Sequence, residues 1–409
     1  MKIHFFGEVR AIPGEIGIAE DFLTAELTVC NLETPITDSE TPITKTGVLL
    51  KGTREDFLRF TEVFRGKNRE LVLMLANNHL GDYGAKGIRD TLSACEKAGI
   101  KCGGISEGNR QEPVIVETPE GSVAIFCVAE RQFGVSRDGV LGVDTISPGL
   151  YSKIRKAKNA GHFVVLSVHA AAEMNLWPAP AWQETLRSFI DAGVDVVHGH
   201  HSRVPQGYEA YGDGVIFYGL GNFLGPVARW RRKRNALWGL AAEVEIRDGK
   251  IAGHRVIPLS LREENEKTLA EKIEESSPAF SEVQAYLRDA VRPLSAPRLL
   301  EGLWQEFSLK MFENWLAPMM GLDGVKVIDT GRLSRVRNAV YALLGRYEKF
   351  IPAFKKTFTQ KDYALPYHLF SCETHRLTAE TALGLLCGEI PDTRTEETRR
   401  LVEKYFQMF

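Results

Sequence analysis

Short apolar runs alternate with amphipathic stretches from the start of the chain to about residue 258. Residues 2–6, 27–30, 71–75, 123–128, 162–168, 194–197 and 215–218 are rich in Val, Ile and Phe, with Gly, Asn or charged residues at their ends. Runs of that kind predict β-strands. Between them, residues 54–64, 85–98, 148–160 and 181–192 predict helices. Gly99, Gly161 and Gly193 stand where the last three of these stop, as glycines after helix ends do. Residues 240–246 and 251–258, joined by Arg247-Asp248-Gly249-Lys250, predict a hairpin with an Asp-Gly turn. Alternation of this kind predicts an α/β fold whose sheets are covered by helices.

The texture changes after Pro258. Leu299, Leu300, Leu303, Trp304, Phe307, Met311, Phe312, Trp315 and Leu316 recur at helical spacing, and prolines at 293, 297, 318, 352, 366 and 391 punctuate the stretch. The expected organisation is an α/β domain over residues 1–258 and an all-helical domain over 259–409. The aromatic stripe is expected as core, with a dimer surface through the helical domain as the alternative.

Composition narrows the class. The 409 residues are 44% hydrophobic and 25% charged, ordinary for a folded protein. Lys and Arg total 51 against 53 Asp and Glu, a net charge of −2, which speaks against a surface built for nucleic acid. No window reaches the about 18 apolar residues of a spanning helix, and the first residues lack a secretory apolar region. A soluble, cytoplasmic protein is expected. The six cysteines form no Cys-x-x-Cys pair and are expected as free thiols.

Polar residues gather at the carboxyl ends of the predicted strands, where open α/β sheets place ligands. Glu8 follows the first, Asn31 and Glu33 the second, and Asn77, Asn78 and His79 the third, with Asp82 close behind. His169 ends the run 162–168 and Glu173 follows it. His200 and His201 follow residues 194–197, and Asn222 follows 215–218. Carboxylate, amide oxygen and imidazole are the donors that borderline divalent metals such as Mn²⁺, Fe²⁺ and Zn²⁺ take. One or two such ions are the expected cofactor.

These motifs resemble a known family. Residues 31–37 (Asn-Leu-Glu-Thr-Pro-Ile-Thr), 75–84 with Asn77-Asn78-His79, Val168-His169 with Glu173, Gly199-His200-His201 and Gly219-Leu220-Gly221-Asn222-Phe223 look like the CapA, or poly-γ-glutamate capsule synthesis, family of the calcineurin-like metallophosphoesterase superfamily. The resemblance implies a four-layer α/β/β/α sandwich with a dinuclear metal site on one edge. By position, Glu33 would be the bridging carboxylate. Asn78, or Asn77, would give an amide oxygen, and His169 and His200 would be ligands. His79 would protonate the leaving group, with Asp82 holding its tautomer. Asn31, Asn77, Glu173 and Asn222 fall where substrate contacts are expected.

Two positions depart from the family pattern, and both fall on the same implied metal. Glu8 stands where the family has Asp. Arg203 stands where the last histidine motif usually ends in His, and a guanidinium cannot coordinate a cation. The first metal is therefore expected to be weakened or lost, with His201 or His4 as substitutes and Arg203 free to clamp an anionic substrate group. Five cations lie within residues 229–234, Arg231 among them, and suggest a clamp for a polyanion. His368 and His375, with Cys372 between them, show no standard metal spacing and are expected to be structural. The expected activity is metal-dependent hydrolysis of a phosphoester or related bond on an anionic small molecule or polymer. The alternatives are a silent binding or scaffold module and amide chemistry on γ-linked glutamate.

Overall fold

The computed structural model describes residues 1–10, 15–18, 24–64, 69–225, 233–264, 267–317 and 359–406. In chain order the strands are β1 (Lys2–Val9), β2 (Glu15–Ile18), β3 (Leu27–Leu32), β4 (Glu70–Met74), β5 (Lys101–Gly103), β6 (Ile105–Glu107), β7 (Val114–Thr118), β8 (Gly121–Ala129), β9 (Leu141–Val143), β10 (Phe163–His169), β11 (Val196–His200), β12 (Tyr208–Tyr211), β13 (Gly214–Phe217), β14 (Asn222–Leu224), β15 (Trp238–Arg247), β16 (Lys250–Glu264) and β17 (Lys267–Lys272). The helices are α1 (Arg54–Phe64), α2 (Gly84–Ala98), α3 (Pro148–Asn159), α4 (Pro180–Asp191), α5 (Pro278–Val291), α6 (Pro297–Met311), α7 (Gln360–Ser371), α8 (Glu373–Cys387) and α9 (Glu396–Tyr405). None of these helices is long and apolar enough to cross a membrane.

Nine strands form one sheet in the order β2-β17-β16-β15-β1-β3-β4-β5, with β14 also paired to β1. Six form a second, in the order β12-β13-β11-β10-β8-β7. Alternate residues of the second sheet face opposite ways. Val123, Ile125, Val165, Val196 and Phe217 share one buried cluster with Ile3, Phe5 and Val29 of the first sheet and with Phe57 and Phe60 of α1. Phe126, Val164, Leu166 and Val197 pack instead on Leu150 and Ile154 of α3 and Leu186 and Phe189 of α4. Gly193, at the end of α4, has φ 114°, a conformation that L side chains rarely adopt, and so turns the chain into β11.

Register lines up the strand ends. Parallel pairing sets His169 opposite His200. Glu8 lies opposite both Asn31 of β3 and Asn222 of β14. Gly7 allows the close approach behind Glu8, since a Cβ there would lie 1.9 Å from the Gly221 carbonyl oxygen.

The expected boundary at 258 falls inside a strand. β16 runs on to Glu264, and β17 pairs with it in the same sheet. Pro258 sits opposite Leu240 within the ladder rather than ending it. The helices that follow are not a detached unit. Val283 and Tyr286 of α5, Leu300 and Leu303 of α6, and Leu401 and Tyr405 of α9 are buried in the cluster that holds the two sheets. Trp304 and Phe307 from the aromatic stripe are buried as well.

Candidate functional site

The strand ends open on a cavity of about 260 Å³. Its floor carries Arg10, Asn78, His79, Glu173, His201 and Arg203. Phe307 and Met311 of α6 and His368, Thr374, His375 and Thr378 of α7 and α8 line it from the helical region. Part of the wall is thus made by the stretch whose role the sequence left open.

Carboxylates and guanidinium groups fill one half of the site. Arg203 Nη1 donates to Glu8 Oε2 at 2.9 Å and also to Glu33 Oε2. Its Nε and Nη2 each lie 3.4 Å from Glu173 Oε1. Arg10 Nε donates to Glu33 Oε2 at 2.8 Å. Burial pushes Glu33 up, but Arg10 and Arg203 outweigh it and hold the carboxyl well below the usual range. Burial raises Glu8 to about 7, against the pull of Arg203 and with a further push from Glu33. The expectation that Arg203 clamps an external anion gives way here, because its fork is engaged by three carboxylates of this chain.

His201 and Arg203 have φ of 85° and 62°, both left-handed. Such residues cost on the order of 1–3 kcal/mol each and persist only where their surroundings hold them. Here the His201 N–H donates to Glu8 Oε1 at 2.6 Å.

The other half is organised by amide groups. Asn77 Oδ1 accepts from the backbone N–H of His79 at 3.1 Å and of Leu80 at 2.9 Å. Its Nδ2 must therefore donate, and it does so to Leu32 O and to Asn31 Oδ1. Asn31 Nδ2 then points at His169 Nδ1, 3.0 Å away. Asn77 and Asn31, expected among the substrate contacts, are buried and hold the loop and the His169 ring instead. Asn78 Oδ1 faces the cavity side, 3.1 Å from His169 Nε2. Glu33 Oε1 and His200 Nδ1 are buried without a hydrogen-bond partner among the described residues. Burial depresses His169 and His200 well below the usual imidazole range, which keeps both neutral. Neutral imidazole is the form that binds metals.

His79 Nδ1 is held by Asp82 Oδ2 at 2.9 Å, and Nε2 lies 4.0 Å from Glu33 Oε1. Asp82 is fixed in turn by Lys45 Nζ at 2.5 Å and the Leu50 N–H at 2.8 Å. Burial lowers the imidazole, and Lys45 adds to that against the pull of Asp82.

Three expectations fall elsewhere. Asn222 Nδ2 donates to Ala236 O at 3.0 Å and supports the backbone. His4 pairs with Glu243 at 3.0 Å, so it is bound up outside the cavity lining. Arg231 and its neighbours at 226–232 lie outside the described residues. Arg10, Lys45, Glu130 and Gln132 were not foreseen. Most of their partners are remote in sequence, although Arg10 stands two residues past Glu8 and Glu130 two residues past the expected strand 123–128.

The description of the bacterial capsule synthesis protein PGA_cap matches residues 17–226. The chain belongs to the PGA_cap family. The match spans Glu33 to Asn222 of the site, while Glu8, Arg10 and helices α5 to α9 lie outside it. Capsule biosynthesis protein CapA of Bacillus anthracis is 31% identical over 214 residues, 50% of this chain and 51% of that protein. PGA biosynthesis protein CapA of Bacillus subtilis is 31% identical over 174 residues, 40% of this chain and 45% of that protein. A probable polyglutamine synthesis accessory protein of Mycobacterium tuberculosis is 29% identical over 170 residues, 38% of this chain and 45% of that protein. The chain spans about half the length of these relatives.

Proposed function

We propose that the protein hydrolyses a phosphoester or related bond with one divalent cation at the ends of β3, β10 and β11, and that Arg203 supplies a fixed positive charge beside it. The observation that carries this reading is the divided state of Glu33. One carboxylate oxygen is taken by Arg10 and Arg203, and the other is buried with no hydrogen-bond partner. Buried polar atoms of that kind are rare unless something binds them. The donor types suit a borderline cation, and Glu33 Oε1, Asn78 Oδ1, His169 Nε2 and His200 Nδ1 would hold it after drawing closer, since among the described residues Glu33, His169 and His200 do not bring their ligand atoms within 4.8 Å of one another. Asn31 Nδ2 faces His169 Nδ1 and Asn31 Oδ1 accepts from Asn77 Nδ2, so ligation through His169 Nε2 would require its ring proton to leave and this amide pair to rearrange. When bound, the cation polarises the ester and lowers the pKa of a water.

The chain's own groups do the rest. Arg10 and Arg203 anchor Glu33 and offset its charge. Asp82 holds the proton on His79 Nδ1, so that the free Nε2 would first take a proton from the attacking water and then pass it to the leaving oxygen. Phe307 and Met311 exclude water from the cavity side that they line. The packing of α1 and α2, the two sheets, and α3 and α4 belongs to the same reading, as a four-layer α/β/β/α sandwich. The relatives' names, which refer to capsule, PGA and polyglutamine synthesis, support an anionic polymer of the poly-γ-glutamate type, or a precursor of one, as the setting of the reaction.

The test is hydrolysis of an aryl phosphate ester by the manganese-loaded full chain. His79→Ala is expected to lower kcat by about 10²–10⁴-fold while one Mn²⁺ per chain stays bound. Absence of turnover with Mn²⁺, Fe²⁺, Zn²⁺ and Mg²⁺ alike overturns the hydrolase. One observation favours a second reading, a binding module for an anionic polymer in an accessory role. Arg203 is engaged internally, so the charge that would act on a substrate is already offset.

A further inference from the structure

A second cluster of metal-binding side chains lies in the helical region, outside the family match. His368 stands in the last turn of α7, His375 in the first turn of α8, and Cys372 forms the corner between them. One ligand atom from each lies within 4.8 Å of the other two. His375 Nδ1 is 2.9 Å from Cys372 Sγ. The rings of His368 and His375 are 4.6 Å apart. The thiol is fully buried.

Each group is already turned toward the others. His368 Nδ1 is bonded to Thr46 Oγ1 at 2.8 Å, while its Nε2 is buried with no partner among the described residues. With the proton on Nδ1, the lone pair of Nε2 is free. This is how a hydrogen bond on one ring nitrogen prepares the other for a metal. Glu130, just beyond β8, clasps the corner. Its Oε2 accepts from the Thr374 N–H at 3.0 Å, from Thr374 Oγ1 at 2.7 Å and from Cys372 Sγ at 3.3 Å. Its Oε1 lies 3.7 Å from His201 Nε2, which joins the corner to the strand-end site.

We propose that His368 Nε2, Cys372 Sγ and His375 Nδ1 bind a zinc ion in the wall of the cavity. Two imidazoles and one thiolate are a zinc donor set, and a thiolate disfavours Mn²⁺ and Mg²⁺. Binding breaks the Cys372 S–H bond and forms a Zn–S bond, and the proton leaves to solvent. Three protein ligands leave the fourth tetrahedral position for water or for an anionic group of the cavity's occupant. The cation would face the same cavity as His201 and Glu173. This site does not depend on the hydrolase reading.

Cobalt(II) titration of the full chain tests it, because a thiolate ligand gives cobalt a charge-transfer absorption that oxygen and nitrogen ligands do not. One equivalent is expected to develop that absorption, and Zn²⁺ to displace it. Cys372→Ser is expected to abolish it. His368→Gln is expected to weaken cobalt binding by at least about tenfold, and it decides the matter if Cys372→Ser fails to fold. Asn78→Ala, which acts on the strand-end site, is expected to leave the absorption unchanged. No charge-transfer absorption at saturation, its persistence in Cys372→Ser, its loss in Asn78→Ala, or unaltered affinity in His368→Gln overturns the proposal.

Discussion

The two halves of the strand-end site solve the same electrostatic problem differently. Around Arg203, buried carboxylates are matched by guanidinium groups of the chain itself. Around His200 and Asn78, an oxygen of Glu33 and a nitrogen of His200 are buried and unmatched. Both halves share Glu33, one through each oxygen. Where family pattern leads one to expect an imidazole, this chain carries its own permanent cation. The comparison teaches that an arginine at a strand end can serve as a counter-ion to buried carboxylates without leaving the position empty. Arg203 and Arg10 face Glu8, Glu33 and Glu173, and Glu8, raised by burial to about 7, is only partly charged at neutral pH, so these carboxylates are close to balanced.

The sharpest way to break this contrast is Arg203→Met. Removing one partner of a buried ion pair strands the other and costs about 3–5 kcal/mol. Here Glu8 and Glu33 would be left facing each other with Arg10 alone to offset them. Urea denaturation of the metal-free protein should show a loss of that size. Mn²⁺ should then restore more stability to the variant than to the parent, since a divalent ion can take the vacated place. A loss below about 1 kcal/mol would mean that the carboxylates are satisfied without Arg203.

How far the sequence could have led here depends on the range of each interaction. The central strands and the first four helices were legible, because four or more residues of apolar pattern report burial directly. β5, β6, β9 and β14, each three residues long, carry too little pattern. Their pairing is imposed by their neighbours. Pro258 read as an end, yet it sits in an antiparallel ladder. In the site, most strand-end residues could be named from position alone, though Arg10 after β1 and Glu130 after β8 could not. The roles of Asn77 and Asn78 could not be separated, because that depends on which amide reaches the backbone of His79. Lys45 could not be found either, since its loop has no pattern and its partner Asp82 is 37 residues away. The corner at Cys372 shows no metal spacing in the sequence because His368, Cys372 and His375 are spread over two helices and the turn between them.

A carboxylate elsewhere in the same sheet gives the reference value for the satisfied half. Glu243 of β15 accepts from Lys2 at 3.1 Å, from Arg255 at 3.0 and 3.1 Å, and is 3.0 Å from His4 Nε2. Burial alone would raise it, but hydrogen bonds from Arg255, His4 and Lys2 bring it down to about 2. Below 4.5 the unfolded chain binds this proton more readily than the folded one, so its contribution is complete above that pH and fades as pH falls toward 2. Glu243→Gln should cost about 1.5–3 kcal/mol at pH 7, less than Arg203→Met. The gap between parent and variant, followed by urea denaturation, should close in that acid window. A gap that is constant from pH 7 to pH 3 would remove the charge from the explanation.

The smallest effect on stability is expected where the site is unmatched. Asn78 is half-buried, and its side-chain oxygen meets only His169 Nε2. Asn78→Ala should therefore cost about 0.5–1.5 kcal/mol in metal-free protein, the value of one ordinary hydrogen bond. Its consequence should appear only when a cation is offered. A ligand that binds the folded state alone stabilises it by RT ln(1 + [L]/Kd), about 2.7 kcal/mol at a hundredfold excess over Kd. The parent should gain that stabilisation in Mn²⁺, and Asn78→Ala should lose most of it. Arg203→Met should behave the opposite way, with a large loss before metal and a large recovery after it. Two variants around one glutamate would then move in opposite directions on the same titration. Parallel behaviour would mean that the two oxygens of Glu33 face one environment and that the contrast between the halves is false.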